Sequence, residues 1–289
     1  MNEDLEQRVE LMKREIDALQ IAITGQSKPW YKNVSTLLAV IALLFSFGTT
    51  CVSNRRIASQ DIQNTRQELR GLLQRLAALP KENVDTVKKY QGDEASAAIV
   101  SGFINQENSL LARNAAELAR KLPAKSVSAT EYYAVAVALQ NSYELTGAQE
   151  FLNYSLNASP DFNTEISALR MLAGMRFTQG SPEAGRVEYQ KALNIFSKYP
   201  QYDPFTKIST NVWTELSWAF SEANYNLFPT ASQHIDNAEG LLATLPNSPG
   251  TNKLRAQVSE ARSQISSGKP PAAPVIGSQL DTGPTPSPK

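Results

Sequence analysis

Residues 34–52 form an apolar run without a charge, bracketed by Lys32 on one side and Arg55 and Arg56 on the other. A helix rises about 1.5 Å per residue, so such a run reaches across a hydrocarbon core of roughly 30 Å and predicts one transmembrane helix over residues 34–53. A charge-rich segment of 33 residues precedes it, unlike the short basic start of a cleaved signal peptide. Trp30 and Tyr31 stand where amphipathic rings suit a headgroup layer. Gly48-Thr49-Thr50 before Cys51 lacks the leucine and small-residue pattern of a lipidation site, the segment before it is too long for one, and Cys51 reads as an ordinary residue of the run.

On both sides of this run the apolar positions alternate in steps of four and three. Leu5, Val9, Met12, Ile16, Leu19 and Ile23 trace one such seam, which predicts an N-terminal amphipathic or coiled-coil helix over residues 1–27. Ile62, Leu69, Leu72, Leu76 and Leu79, with Thr65 in register, trace a second, which predicts a juxtamembrane coiled-coil helix over residues 54–80. The two seams point to a homo-oligomer. Each also has a single-chain reading: the first as a helix lying on a membrane surface, the second as a helix folded back on the following domain. Pro80 is expected to end the second helix, and the polar residues 81–92 read as a linker.

From 93 to 267 the spacing is helical throughout and a longer period emerges. Ile99-Val100, Val135-Ala136, Leu172-Ala173 and Trp218-Ala219 recur at steps of 36, 37 and 46 residues. Thirteen, 17 and 20 residues beyond the first member of each pair lie Ala112, Ala116 and Ala119, then Ala148, Leu152 and Ser155, then Gly185, Tyr189 and Ala192, then Ala231, Ile235 and Ala238. A small residue at these points lets two antiparallel helices approach closely, and the larger one fills the gap to the next pair. A period in this range predicts an α-solenoid of about four helical hairpins, closed by a capping helix with Leu254, Val258, Ala261 and Ile265 on its inner face. A plain helical bundle with alanines at these spacings is the other reading.

The pattern resembles the tetratricopeptide repeat, most clearly in Leu172-Ala173 followed by Gly180 and Tyr189-Gln190-Lys191-Ala192-Leu193, and in residues 148–156 followed by Pro160. It departs from that repeat at Val100, where a small residue is expected, and at Asn226, where the turn glycine is expected. The resemblance covers roughly residues 93–245. It implies that the first helix of each hairpin lines a concave face that holds a peptide. By that resemblance the groove presents Tyr133, Val137, Gln140 and Asn141 from one unit, Arg170, Phe177 and Thr178 from the next, and Trp213, Leu216, Phe220 and Asn224 from the last. Such a face offers apolar pockets and main-chain partners rather than a charge clamp, and the lysines with which some relatives hold a terminal carboxylate are missing from these helices. Read from the residues alone, Trp213, Trp218 and Phe220 are equally at home in a core.

Twenty-eight basic residues balance 28 acidic ones, so no overall field draws nucleic acid. One cysteine and one histidine leave no internal disulfide and no Cys/His metal constellation. His234 has Asp236 nearby in sequence, too close to face it from one helix, and no nucleophile is apparent. No catalytic residue, cofactor or metal is therefore expected. Residues 268–289, with six prolines, read as a disordered tail. The chain as a whole reads as all-α: an N-terminal coiled-coil helix, one transmembrane helix, a juxtamembrane helix, the repeat domain at 93–267 and the tail. The functional expectation is a membrane-anchored, non-catalytic scaffold binding a protein or peptide, with the bilayer as a second partner; the alternative is a structural oligomer whose groove is filled by the protein itself. Lys28 and Lys32 against Arg55, Arg56 and Arg66 do not decide topology, and a short tail before an uncleaved anchor favours a cytoplasmic N-terminus and an extracytoplasmic repeat domain.

Overall fold

The structure, a computed structural model, describes residues 2–24 and 34–268. The aromatic pair Trp30-Tyr31 and nearly all of the proline-rich tail lie outside the described residues, as do the side chains of Leu5, Ile23 and Cys51. Ten α-helices are present among the described residues: α1 (Asn2–Thr24), α2 (Val34–Lys89), α3 (Glu94–Lys121), α4 (Ala129–Asn141), α5 (Leu145–Asn157), α6 (Phe162–Thr178), α7 (Pro182–Leu193), α8 (Pro204–Asn224), α9 (Phe228–Ala243) and α10 (Pro249–Ser266). The chain divides into two compact units, Met1–Gln63 and Asn64–Lys289.

The first unit holds α1 and the start of α2. Along α1 the seam residues Val9 and Ile16 are exposed, while Met12 and Leu19 are half-buried. The expectation of a transmembrane helix is corrected here. Among the described residues no helix is long and apolar enough to cross a membrane. The anchor over 34–53, the single-pass localisation with its two-sided topology, and the bilayer as a partner fall with it.

The second unit is an all-helical, repeat-like stack. Helices α4 and α5, α6 and α7, and α8 and α9 form three antiparallel hairpins in chain order, and α10 packs on the last. The period read from the sequence sits in their interfaces. Val135 and Ala136 on α4, Leu172 and Ala173 on α6, and Trp218 and Ala219 on α8 are all buried. So are Ala148, Leu152 and Ser155 on α5, Gly185, Tyr189 and Ala192 on α7, and Ala231, Ile235 and Ala238 on α9. The closest approach is at Gly185, where an added Cβ would lie 2.5 Å from the Phe177 ring and 2.9 Å from the Ala173 carbonyl oxygen.

Each hairpin turns in the same way. Tyr143, Gly180 and Asn226 adopt left-handed backbone, with φ of 60°, 76° and 62°. At each turn the next amide reaches back five residues, from Glu144 to Leu139, Ser181 to Arg176 and Leu227 to Glu222, which satisfies a terminal carbonyl of the first helix. Asn226 does the work expected of glycine because its short polar side chain tolerates this region. The starts are fixed by side chains: Ser128 and Glu131 cap α4 reciprocally, and Asp161, Asp203 and Ser248 accept the backbone N–H of Thr164, Thr206 and Thr251.

The first repeat differs from the sequence expectation. Ile99 and Ala112 lie on one uninterrupted helix, α3, so they are not the two arms of a hairpin. Ala112, Ala115, Ala116 and Ala119 still pack tightly, on the C-terminal half of α3, whereas Ile99 is exposed. The end of α2 supplies the partner instead. Pro80 lies inside α2, which runs through the expected linker to Lys89. From Asn64 onward this helix belongs to the second unit, where Leu69, Leu76 and Leu79 are buried and Leu72 is half-buried. Ion pairs hold it there: Arg66 and Arg70 reach Glu131 at the start of α4, and Arg75 reaches Glu107 on α3. These leucines are thus taken up by the chain's own core, the fold-back reading of the second seam, because one helix face cannot serve both.

Candidate functional site

The first helices of the three hairpins, α4, α6 and α8, lie in sequence, with α6 in contact with both of the others. Ten of the 17 residues of α6 are buried. The remaining ones include a line of small and polar residues, Asn163, Ser167, Arg170, Gly174 and Thr178, one or more turns apart and at least partly open. Parallel lines on the neighbouring helices carry Tyr133, Val137, Gln140 and Asn141 on α4, and Thr210, Trp213, Ser217, Phe220 and Asn224 on α8.

Nine of the eleven groove residues expected from the sequence therefore keep some exposure on this face: Tyr133, Val137, Gln140, Asn141, Arg170, Thr178, Trp213, Phe220 and Asn224. Phe177 and Leu216 do not. Phe177 is 4% exposed and packs against Tyr189 and Trp218, and Leu216 is 2% exposed in the cluster that joins α8, α9 and α10. Trp213 and Phe220 pack their partly buried rings against that same cluster, so they are both core and surface.

Polar bonds tie α6 and α7 to α8. The Arg170 guanidinium donates from Nε and Nη2 to Thr214 Oγ1 at 3.0 and 2.8 Å, and from Nη2 to the Thr210 carbonyl. Tyr189 donates to the Ser217 carbonyl at 2.9 Å and shares a 2.8 Å hydrogen bond with Ser221 Oγ. Burial lowers the Arg170 pKa to about 10 and raises that of Tyr189 to about 12. Burial also raises Tyr133, against the opposing pull of a hydrogen bond with Ser167 and the positive charge of Arg170.

A second polar cluster lies deeper, between α7, α8 and α9. His234 Nδ1 lies 2.6 Å from Glu215 Oε2, and the imidazole stacks on Trp218 at 4.1 Å between centroids. Trp218 stacks in turn on Tyr189 and donates to Glu222, whose fully buried carboxylate is held at two points by Arg186. The sequence reading gave His234 no partner. The clue was in α8, where Glu215 and Glu222 lie seven residues apart on either side of Trp218, acids on the face that the spacing marks as buried.

Two surface depressions of about 510 Å³ each lie elsewhere. One is lined by Glu165, Leu169, Val187, Lys191 and Lys198 on α6, α7 and the segment after them, the other by Arg66, Lys125, Ser128, Tyr132 and Tyr154. Neither includes a residue of the expected groove. No group of three or more His, Cys, Asp or Glu that could hold a metal ion is present among the described residues. No protein-family model matches the chain, and no match is found among curated proteins or among solved structures.

Proposed function

We propose that the second unit is a tetratricopeptide-like scaffold that binds a protein partner along the face of α4, α6 and α8, without catalysis. The observation that carries this reading is the row of partly open side chains, Tyr133, Trp213 and Phe220 among them, set on helices joined by hydrogen bonds, Thr130 to Thr164 between α4 and α6 and Arg170 to Thr214 between α6 and α8. Amphipathic rings on a rigid backbone are the groups from which binding hot spots are built, because they bury much area at little cost in rotamer freedom. The common register of the hairpins and their left-handed turns support the repeat reading.

The test uses the full chain as bait in a peptide-display selection, followed by affinity measurements on the enriched peptides. Tyr133→Ala and Phe220→Ala are expected to weaken binding at least tenfold with the circular dichroism spectrum unchanged, and hydrogen exchange is expected to slow on α4, α6 and α8. Binding indifferent to both substitutions would sink the proposal.

A second reading, self-association of the chain, is favoured by exposed apolar side chains on two helices: Val9 and Ile16 on α1, and Ile99, Phe103 and Leu110 along one face of α3. Sedimentation equilibrium decides it. An oligomer dissociated by Ile16→Lys or Phe103→Lys supports association through that helix, and a concentration-independent monomer excludes it.

A further inference from the structure

Ten arginines lie in the second unit, and nine of them meet an acid or an amide oxygen. Arg170 meets neither. Its bonds go to a hydroxyl and a carbonyl, both neutral, and its Nη1 has no partner among the described residues. No carboxylate stands within ion-pair distance, and the only ionisable groups that bear on it are the phenols of Tyr133 and Tyr189, both neutral near pH 7. Burial is what lowers its pKa, and no anion counters it. A partly buried guanidinium is ordinarily paired, because desolvating a charge costs more than neutral hydrogen bonds return. Nε and both N–H of Nη2 are taken by Thr214 and Thr210, which fixes the plane of the guanidinium and leaves the two N–H of Nη1 to meet an oxyanion.

The residues beside it on α6 are small and partly exposed. A Cβ added to Gly174, one turn along α6, would meet nothing closer than 3.8 Å, where it would touch Ser221 Oγ and the Tyr189 hydroxyl. Ser167, one turn the other way, is partly exposed and adds a hydroxyl. We infer that Arg170 is the anchor of a carboxylate subsite, which takes the side chain of a glutamate or aspartate in the bound protein segment. The inference rests on the peptide-binding reading of this face and adds a chemical class to it: the partner segment is acidic at its centre.

Two measurements on the full chain separate this inference from that reading. In the first, sodium acetate is titrated against sodium chloride at equal ionic strength while the arginine Nε–H resonances are followed by NMR. One resonance is expected to shift saturably with acetate and to be missing from Arg170→Gln. In the second, pools of terminally blocked decapeptides with a fixed central Glu, Gln or phosphoserine are compared by fluorescence anisotropy. The Glu pool is expected to bind at least tenfold more tightly than the Gln pool, and Arg170→Gln is expected to erase the difference.

Acetate binding with no pool binding would remove the peptide reading and leave the anion site. Pools that bind without preferring Glu, or that prefer phosphoserine, would overturn the carboxylate assignment, as would an acetate response unchanged in Arg170→Gln. Should Arg170→Gln fail to fold, Ser167→Asp supplies the missing carboxylate from within. It is expected to raise the melting temperature and abolish the acetate response, and a retained response overturns the inference.

Discussion

Arg170 and Arg186 sit on the two arms of one hairpin, α6 and α7, and both reach across to α8. Arg186 finds Glu222 there, a carboxylate with no solvent exposure that also accepts from Trp218, and the cluster continues through the stacked rings to His234 and Glu215. Every charge in that cluster is answered inside the chain. Arg170 finds only Thr214 and Thr210. The same residue type, a few turns away, is left with its charge uncompensated on the side of the hairpin that faces the open row of side chains. A charge answered internally serves the fold, whereas the proposed role of Arg170 rests on its charge being left unanswered at a partly exposed position.

The contrast can be broken most forcefully at Arg186. Arg186→Met strands the buried Glu222 carboxylate and is expected to cost about 3–5 kcal/mol in urea unfolding. Next comes the contact beside it: Gly185→Ala drives a methyl into the Phe177 ring and the Ala173 carbonyl, with an expected loss of about 1–3 kcal/mol. Arg170→Met is expected to change stability by less than about 1 kcal/mol in either direction, since it removes an unpaired cation and Thr214 keeps its own bond to the Thr210 carbonyl. A loss as large as that of Arg186→Met would show that the two arginines do the same job.

The smallest difference is expected in acid. Hydrogen bonds from Arg75 and Arg120 hold Glu107 and Glu150 below their usual range, and Thr206 does so for Asp203. A depressed carboxylate contributes stability above its unfolded pKa, about 4, and loses it as pH falls through the folded value. Unfolding free energy is therefore expected to decline below about pH 4. No carboxylate titrates against Arg170, so the acid limb of Arg170→Met is expected to run parallel to that of the parent chain, as measured by urea midpoints across the range.

The register of the three hairpins was legible because one small residue at a helix contact has no substitute: Ala148, Gly185 and Ala231 occur where two backbones approach. The turn at Asn226 was legible as a departure, and the backbone shows why it is tolerated. The first hairpin was misread because alanine spacing reports contact, not chain reversal, and no turn residue separates Ile99 from Ala112. Continuation of α2 past Pro80 was likewise hidden, since a proline costs an internal hydrogen bond and the sequence does not show that Leu76 and Leu79 beside it are buried. The transmembrane expectation rested on the uncharged run over residues 34–53, and among the described residues no helix is long and apolar enough to cross a membrane. At the candidate site, the face on α4, α6 and α8 followed from the repeat register. The bonding of Arg170, His234 and Glu222 did not, because partners 19 to 44 residues apart leave no local pattern.

The aromatic stack has an optical consequence. Trp218 is sealed between Tyr189 and His234, while Trp213 keeps part of its ring on the open face. With Trp30 replaced by Phe, these two indoles are the whole tryptophan emission of the chain. Ligand docking then moves the red-edge signal of Trp213 and leaves the blue, imidazole-quenched signal of Trp218 in place, whereas unfolding moves both. One spectrum thus distinguishes an occupied scaffold from a damaged one.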